Sequence, residues 1–282
     1  MNKDFGYLII TTDNDTTDYI SLAYALAISI KLTQPSGYNK VALVVDDKAK
    51  VDKLTSPWVF DTVIENTDLP KNWDCRSYMD VLSPFEYTVC LDADMLFFRD
   101  FSHWIDYFVD NCDLYVANNS YNYRGDIVTS DFYRKTFTAN KLPNLYSFYT
   151  FWKRNTELAN EFFDLGRKII EFPEQFSNYF LSKYKPKIVG TDEAFALSAK
   201  ILDIADEISY PLDFPKVVHM KGMVQDWPWP TEQPFSHVGF YLNRHANLKI
   251  GNYQQTDIVH YVDKSKITLE VINILEENLW KI

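Results

Sequence analysis

Short, nearly unbroken apolar runs organise the first part of the chain. Phe5 to Thr11, Lys40 to Val45, Val59 to Glu65 and Tyr87 to Leu91 are dominated by β-branched, aromatic and aliphatic residues. Runs of that length without polar alternation predict strands covered on both faces. Tyr19 to Lys31 is apolar almost all round and predicts a core helix. The polar loop before it, Thr12 to Asp18, ends in Thr and Asp, good N-cap residues. A strand–helix–strand order with short links implies an α/β fold, a mostly parallel central sheet flanked by helices. Arg76 to Leu82 predicts a short helix that stops at Ser83 and Pro84.

Further along, Phe101 to Asp110 predicts a helix, and Cys112 to Ala117 and Leu145 to Trp152 predict strands. Leu158, Phe162, Leu165 and Ile169 recur at helical spacing within Glu157 to Ile170. Thr191 to Leu202 is another helix, with Asp192 and Glu193 in its first turn, where acids suit the helix dipole. Val217 to Met220 and Ile258 to Val262 are short strands, each holding a His. Thr268 to Ile282 closes as an amphipathic helix, with Val271, Ile272, Leu275, Leu279 and Ile282 on one face. Asn118 to Asn144 shows little periodicity, and irregular segments of that length often serve function.

Composition narrows the classes. The 282 residues are 46% apolar and 16% aromatic, which marks a globular chain with a sizeable core. Only 8 Gly occur, and there is no GxGxxG or GxxxxGK[ST]. A bound phosphate would therefore be held by a metal, basic side chains or a helix N-terminus. A net charge of −11 argues against a surface that wraps nucleic acid by neutralising phosphates. Cys75, Cys90 and Cys112 form neither a zinc pattern nor a disulfide framework. No signal peptide is evident at the N-terminus, and the longest apolar run, Tyr19 to Ile30, is too short to span a bilayer. A soluble protein of a reducing, cytoplasmic compartment is expected.

The chemistry concentrates in Tyr87 to Asp100, YTVCLDADMLFFRD. Asp92 and Asp94 follow the strand directly with only Ala93 between them. Positions i and i+2 at a strand end share a side, so both carboxylates face one spot at the carboxyl edge of the sheet. Like charges placed together there need a cation, and hard oxygen ligands suit Mn²⁺ or Mg²⁺ bridging to phosphate. The small Ala93 leaves room for a ligand near the backbone.

With these residues in view, the chain resembles glycosyltransferases of the GT-A fold, a Rossmann-like nucleotide-diphospho-sugar transferase fold, and within it the glycogenin-like family 8. The likeness rests on LIITTDNDTTDYISLAYALAISI, on Arg76 sixteen positions before Asp92, on LDADML and on TDEAFAL from Thr191 to Leu197. The resemblance implies a metal-dependent transfer from a nucleotide sugar, usually a UDP-sugar, with retention at the anomeric carbon. It implies Mn²⁺ on Asp92 and Asp94, and a diphosphate near Arg76. Thr11, Thr12, Asp13 and Tyr19 would lie around the nucleoside, and Ala93 beside the donor. It also implies a single domain over 1–282, with about 1–205 as the donor core and about 206–282 as the acceptor side and C-terminal helix.

Three departures from the family pattern qualify the site. Its Asn-Ser-Gly strand finds only Leu145 to Thr150, LYSFYT. Its Gln after Asp192 is Glu193, a carboxylate that can act as a true nucleophile or imply another stereochemical course. Asp192 and Glu193 are therefore the expected catalytic pair. The closing His-x-x-Gly-x-x-Lys-Pro-Trp motif is split between His219-Met-Lys-Gly222 with Trp227, and His260 with Lys266 six positions on. His260 is the favoured third metal ligand and His219 the alternative, with Lys266 reaching a phosphate and Lys221 and Trp227 on the acceptor side. The acceptor stays open: a glycan, a protein, a small molecule or a modified nucleic-acid base. Two other readings compete, a nucleotidyltransferase on a related fold and a non-catalytic sugar-nucleotide or glycan-binding protein. The first needs a Gly-rich loop near the first strand, and Thr11 to Asp18 contains no Gly.

Overall fold

A computed structural model describes residues 4–12, 16–68, 73–128, 134–186, 188–209, 216–221 and 238–281, without the side chains of 73 and 74. Asp13 and Trp227 lie outside the described residues. The chain begins with β1 (Phe5–Ile10), α1 (Tyr19–Thr33), β2 (Val41–Val45), α2 (Lys48–Val51), β3 (Thr62–Glu65), α3 (Met79–Leu82) and β4 (Tyr87–Leu91). It continues through β5 (Met95–Leu96), α4 (Ser102–Asn111), β6 (Leu114–Ala117), α5 (Lys135–Asn140), β7 (Tyr146–Lys153), α6 (Glu157–Glu171), α7 (Pro173–Phe180), α8 (Thr191–Leu202) and α9 (Ala205–Ile208). It ends with β8 (Val217–His219), β9 (Phe240–Leu242), β10 (Leu248–Ile250), β11 (Tyr253–Gln254), β12 (Ile258–His260) and α10 (Leu269–Leu279).

Six strands form the central sheet in the order β3-β2-β1-β4-β7-β6. The first four pair in parallel, whereas β7 runs antiparallel to both β4 and β6. Apolar side chains alternate between two packed layers, as strands covered on both faces require. Tyr7, Ile9, Leu43, Val89 and Leu91 join the layer that holds α1, while Leu8, Ile10, Val44 and Cys90 join the layer with Phe162 and Phe195. The uniform apolarity of α1 has the reason its sequence implied. Ten of its residues are buried, and Asp18 caps its start by accepting from Ser21 N–H. α10 lies against it, and the Tyr24 hydroxyl donates to Glu276 at 2.5 Å while accepting from Ser56 N–H at 3.0 Å.

Two small sheets complete the fold. β5-β12-β8 ties residues just beyond β4 to the late part of the chain, and β11-β10-β9 forms an antiparallel meander. No described helix is long and apolar enough to cross a membrane.

The structure departs from the sequence expectations in several places. Pro57–Val59 is a 3-10 turn, so the third strand starts at Thr62 instead of Val59. Pro at the first position suits a helical turn, and Asp61 is drawn off the strand to accept from Val41 N–H and Lys31. Arg76 sits in a 3-10 turn, Trp73–Tyr78, that precedes α3. α5 and α7 were not expected, because neither shows an apolar stripe long enough to count periods. The strands β9, β10 and β11 are two or three residues long, too short for alternation to register.

Gly6 in β1 lies flat beneath the Phe85 ring, and a Cβ there would fall 2.3 Å from that ring. Gly6→Ala is expected to destabilise the protein by about 1–3 kcal/mol through overpacking. Adding Phe85→Leu should recover part of that loss, measured as a shift in the urea midpoint at unchanged slope.

Candidate active site

The sheet sets the site by register. β1 and β4 are parallel neighbours with Ile9 opposite Leu91, so their carboxyl ends open on one edge. Thr11 and Thr12 continue β1 there, and Asp92, Ala93 and Asp94 continue β4. Thr11 is pinned by its hydroxyl and N–H, which both donate to the Val44 carbonyl, at 3.2 and 2.9 Å. Because β7 is antiparallel to β4, its first residues reach this same edge and carry Ser147 with them. The edge opens into a cleft of about 650 Å³, also lined by Tyr19, Arg76, Arg134, Asp192, Glu193, Lys221, His260 and Lys264.

Backbone pairing delivers the histidine. Met95 faces His260 across β5 and β12, and the Tyr261 N–H donates to the Asp94 carbonyl at 3.1 Å. His260 Nε2 then lies 3.1 Å from Asp94 Oδ1 and 3.6 Å from Asp92 Oδ2. One ligand atom from each of the three residues falls within 4.8 Å of the others. β8 pairs in parallel with β12 and sets His219 opposite His260, their rings 4.6 Å apart. His219 is outside that three-residue group. Burial, then the neighbouring His260 and Lys221, push its imidazole well below the usual range, so it is neutral.

Each carboxylate already has a cationic partner. Arg76 pairs with Asp92, and Lys264 Nζ lies 2.5 Å from Asp94 Oδ2. Burial pushes the Asp94 carboxyl up, but His260 and Lys264 outweigh it and hold the group well below the ordinary carboxylate range. Lys266 is placed differently from its sequence spacing. Lys264–Lys266 is a 3-10 turn, in which residues two apart point to different sides. Lys266 accordingly turns away, 3.7 Å from Asp263 and 3.5 Å from the Val238 carbonyl, and it is Lys264 that lines the cleft.

Across the cleft, the N-terminal turn of α8 brings in Asp192. Its Oδ1 accepts from Ser147 N–H at 2.8 Å and Ser147 Oγ–H at 2.7 Å, and its Oδ2 accepts from Arg134 at 2.9 Å. Burial raises this carboxyl, but Arg134 and Ser147 win and the group stays below its usual value. Glu193 goes the other way, raised first by burial and then by Asp192 beside it. Arg76 donates to the Ser147 carbonyl at 2.5 Å and to its hydroxyl at 3.3 Å. Asp92, Arg76, Ser147, Asp192 and Arg134 thus form one continuous polar chain.

The cleft gathers Thr11, Thr12, Tyr19, Arg76, Asp92, Ala93, Asp94, Asp192, Glu193, Lys221 and His260 from the residues singled out in the sequence. The lining also includes polar residues the sequence did not single out, among them Ser147, Arg134 and Lys264. Ser147 lay inside the strand proposed for the missing Asn-Ser-Gly match, and the antiparallel direction of β7 was the lacking clue. Arg134 sits in a stretch without a periodic signal and had none to offer.

The fold matches solved glycosyltransferase structures. Mouse xyloside xylosyltransferase 1 aligns over 91% of this chain and 97% of its own, with a TM-score of 0.54 and 11% identity. The bifunctional glycosyltransferase WbbM aligns over 99% of this chain at a TM-score of 0.54 and 12% identity, and GlyE of Streptococcus pneumoniae over 99% at 0.52 and 11%. The chain spans about half of the WbbM chain (50%) and 60% of GlyE. No protein-family model matches the sequence, and no curated protein does either. At these identities the likeness establishes the GT-A type of fold.

The depressed Asp94 carboxyl carries a stability consequence for metal-free protein. Its contribution is fully present above the ordinary Asp pKa of about 4 and is lost as pH falls through the lower folded value. Thermal melts from pH 6 down to pH 2.5 in EDTA should therefore show a flatter acid limb for Asp94→Asn than for the wild type.

Proposed function

We propose that the chain is a metal-dependent glycosyltransferase, akin to the glycogenin-like family 8, that moves a sugar from a nucleotide-diphosphate donor to an acceptor hydroxyl or amine with retention. One observation carries the reading: Asp92, Asp94 and His260 converge within 4.8 Å at the carboxyl edge of the sheet. Two carboxylate oxygens and an imidazole nitrogen fit a divalent cation, and the imidazole favours Mn²⁺ over Mg²⁺. When bound, that ion supplies positive charge against a leaving diphosphate.

The chain's own groups take the remaining roles. Thr12 and Tyr19 flank the nucleoside, with uridine the favoured base, and Arg76 and Lys264 meet the diphosphate oxygens. Asp192, held ionised by Arg134 and Ser147, accepts a hydroxyl of the donor sugar. Glu193 attacks the anomeric carbon as its bond to the diphosphate oxygen breaks. The acceptor then displaces Glu193, and the acceptor proton passes to the departed diphosphate. Lys221, which lines the cleft, takes the acceptor side in this reading. Three buried cysteines, none of them in a disulfide, suit a cytoplasmic workplace.

Release of nucleoside diphosphate from a panel of nucleotide sugars, with Mn²⁺ and with EDTA, tests the reading. Metal-dependent release from at least one donor is expected, and none from any donor overturns it. Binding without release would mark a non-catalytic sugar-nucleotide protein instead.

Mn²⁺ titrations distinguish the histidines. His260→Ala should weaken Mn²⁺ binding about tenfold to a hundredfold, while His219→Ala stays within a few-fold. The reverse order would move the ligand assignment to His219.

Because Glu193 must be ionised and its carboxyl is raised, turnover should climb with pH through a value above the ordinary Glu carboxyl. Glu193→Gln should remove that limb together with at least about a hundredfold of kcat.

A further inference from the structure

Arg134 is a cation with almost no access to solvent, at 4% exposure. Its guanidinium is clamped between two rings, 3.7 Å from the Phe137 centroid and 4.0 Å from the Tyr146 centroid. Nη1 donates to Asp192 Oδ2 at 2.9 Å, and Nη2 donates to the Leu145 carbonyl at 2.5 Å. Burying a guanidinium is costly unless its donors and charge are satisfied in a fixed geometry. A planar fork held on both faces aims its two Nη donors at Asp192 and the Leu145 carbonyl in one orientation, which a lysine could not reproduce.

The consequence falls on Asp192. Ser147 supplies two hydrogen bonds to Oδ1, and Arg134 supplies one to Oδ2. A carboxylate offers roughly four lone-pair sites. With three donors in place, Asp192 keeps about one open acceptor direction. A ligand hydroxyl must meet that direction or leave a charged oxygen poorly satisfied, the kind of polar mismatch that discriminates most strongly between near-identical ligands.

We propose that Arg134 is the positioning residue that sets donor-sugar specificity, by fixing which hydroxyl stereochemistry Asp192 accepts. The inference rests on Asp192 facing the donor sugar, as in the function proposed above. Arg134 bonds to Asp192 and the Leu145 carbonyl and not directly to Asp92, Asp94 or His260. Its direct influence therefore falls on Asp192, on the sugar side of the donor.

The test separates the two halves. Arg134→Met keeps an unbranched stem between Phe137 and Tyr146 and removes the charge and both hydrogen bonds. In the presence of Mn²⁺, calorimetry compares binding of the best-hydrolysed nucleotide sugar, its C4 epimer and the sugar-free nucleoside diphosphate. The variant should bind the diphosphate within about twofold of wild type. It should lose about tenfold to a hundredfold in affinity for the preferred nucleotide sugar, and the gap between the epimers should close. In Arg134→Ala, added guanidinium should restore the epimer gap, and urea at the same concentration should not. An unchanged epimer preference in Arg134→Met, or equal losses for the diphosphate and the nucleotide sugar, would overturn the assignment. A wild-type chain that binds the diphosphate but turns over no nucleotide sugar would instead sink the transferase reading, and this inference with it.

Discussion

The arrangement depends on a pairing of four backbone residues. β5 is two residues long, yet it sets Met95 against His260 and Leu96 against Val259 directly after the Asp92–Asp94 turn. Two segments more than 160 residues apart are thereby locked in register, and the Asp94 carbonyl itself takes the next N–H, that of Tyr261. A slip of one residue would turn His260 to the opposite face of its strand and leave the carboxylates without an imidazole. The ladder thus does for the acids what no local sequence around them can do, since neither Asp92 nor Asp94 has a histidine within reach along the chain.

That register would be costly to hold if the acids were left bare. Asp94 is 6% exposed and lies beside Asp92, so each carboxylate needs a countercharge at all times. Arg76 and Lys264 provide it. The same two cations border the cleft, so the charges that neutralise the acids also face its open space. His219 adds none, because burial beside His260 and Lys221 keeps it neutral. Its packing against His260 and Phe148 supports the His260 ring instead.

How much of this was legible in the sequence depends on the range of the forces involved. The strands Phe5–Ile10 and Tyr87–Leu91 and the helix Thr191–Leu202 could be read directly, because burial on both faces or one stripe writes itself into consecutive residues. The acid pair was legible for the same reason, as two carboxylates wedged between apolar runs. Lys264 and Lys266 were separable only once the turn type was known, since the choice between them is a question of rotation about a short 3-10 axis. Ser147 needed the direction of β7, a property of topology. Arg134 needed three partners at once, Asp192, Phe137 and Tyr146, drawn from different elements, and no spacing rule connects them.

The polar chain from Asp92 through Arg76 and Ser147 to Asp192 and Arg134 explains why the two halves of the cleft belong to one machine. Arg76 bonds to both Asp92 and Ser147, and Ser147 bonds to Asp192, so the acid beside Asp94 and the acid at the far wall share intermediates. A shift of Arg76 by a fraction of an ångström would be felt at both ends, because buried charge-assisted bonds are short and directional. The Ser147 backbone fixes the midpoint of this chain to β7, and β7 pairs from Tyr149 to Lys153 with β4, the strand that leads into Asp92. Side-chain chain and strand pairing therefore close a loop, and that closure, more than any single contact, holds Asp192 at a set distance from Asp92 and Asp94.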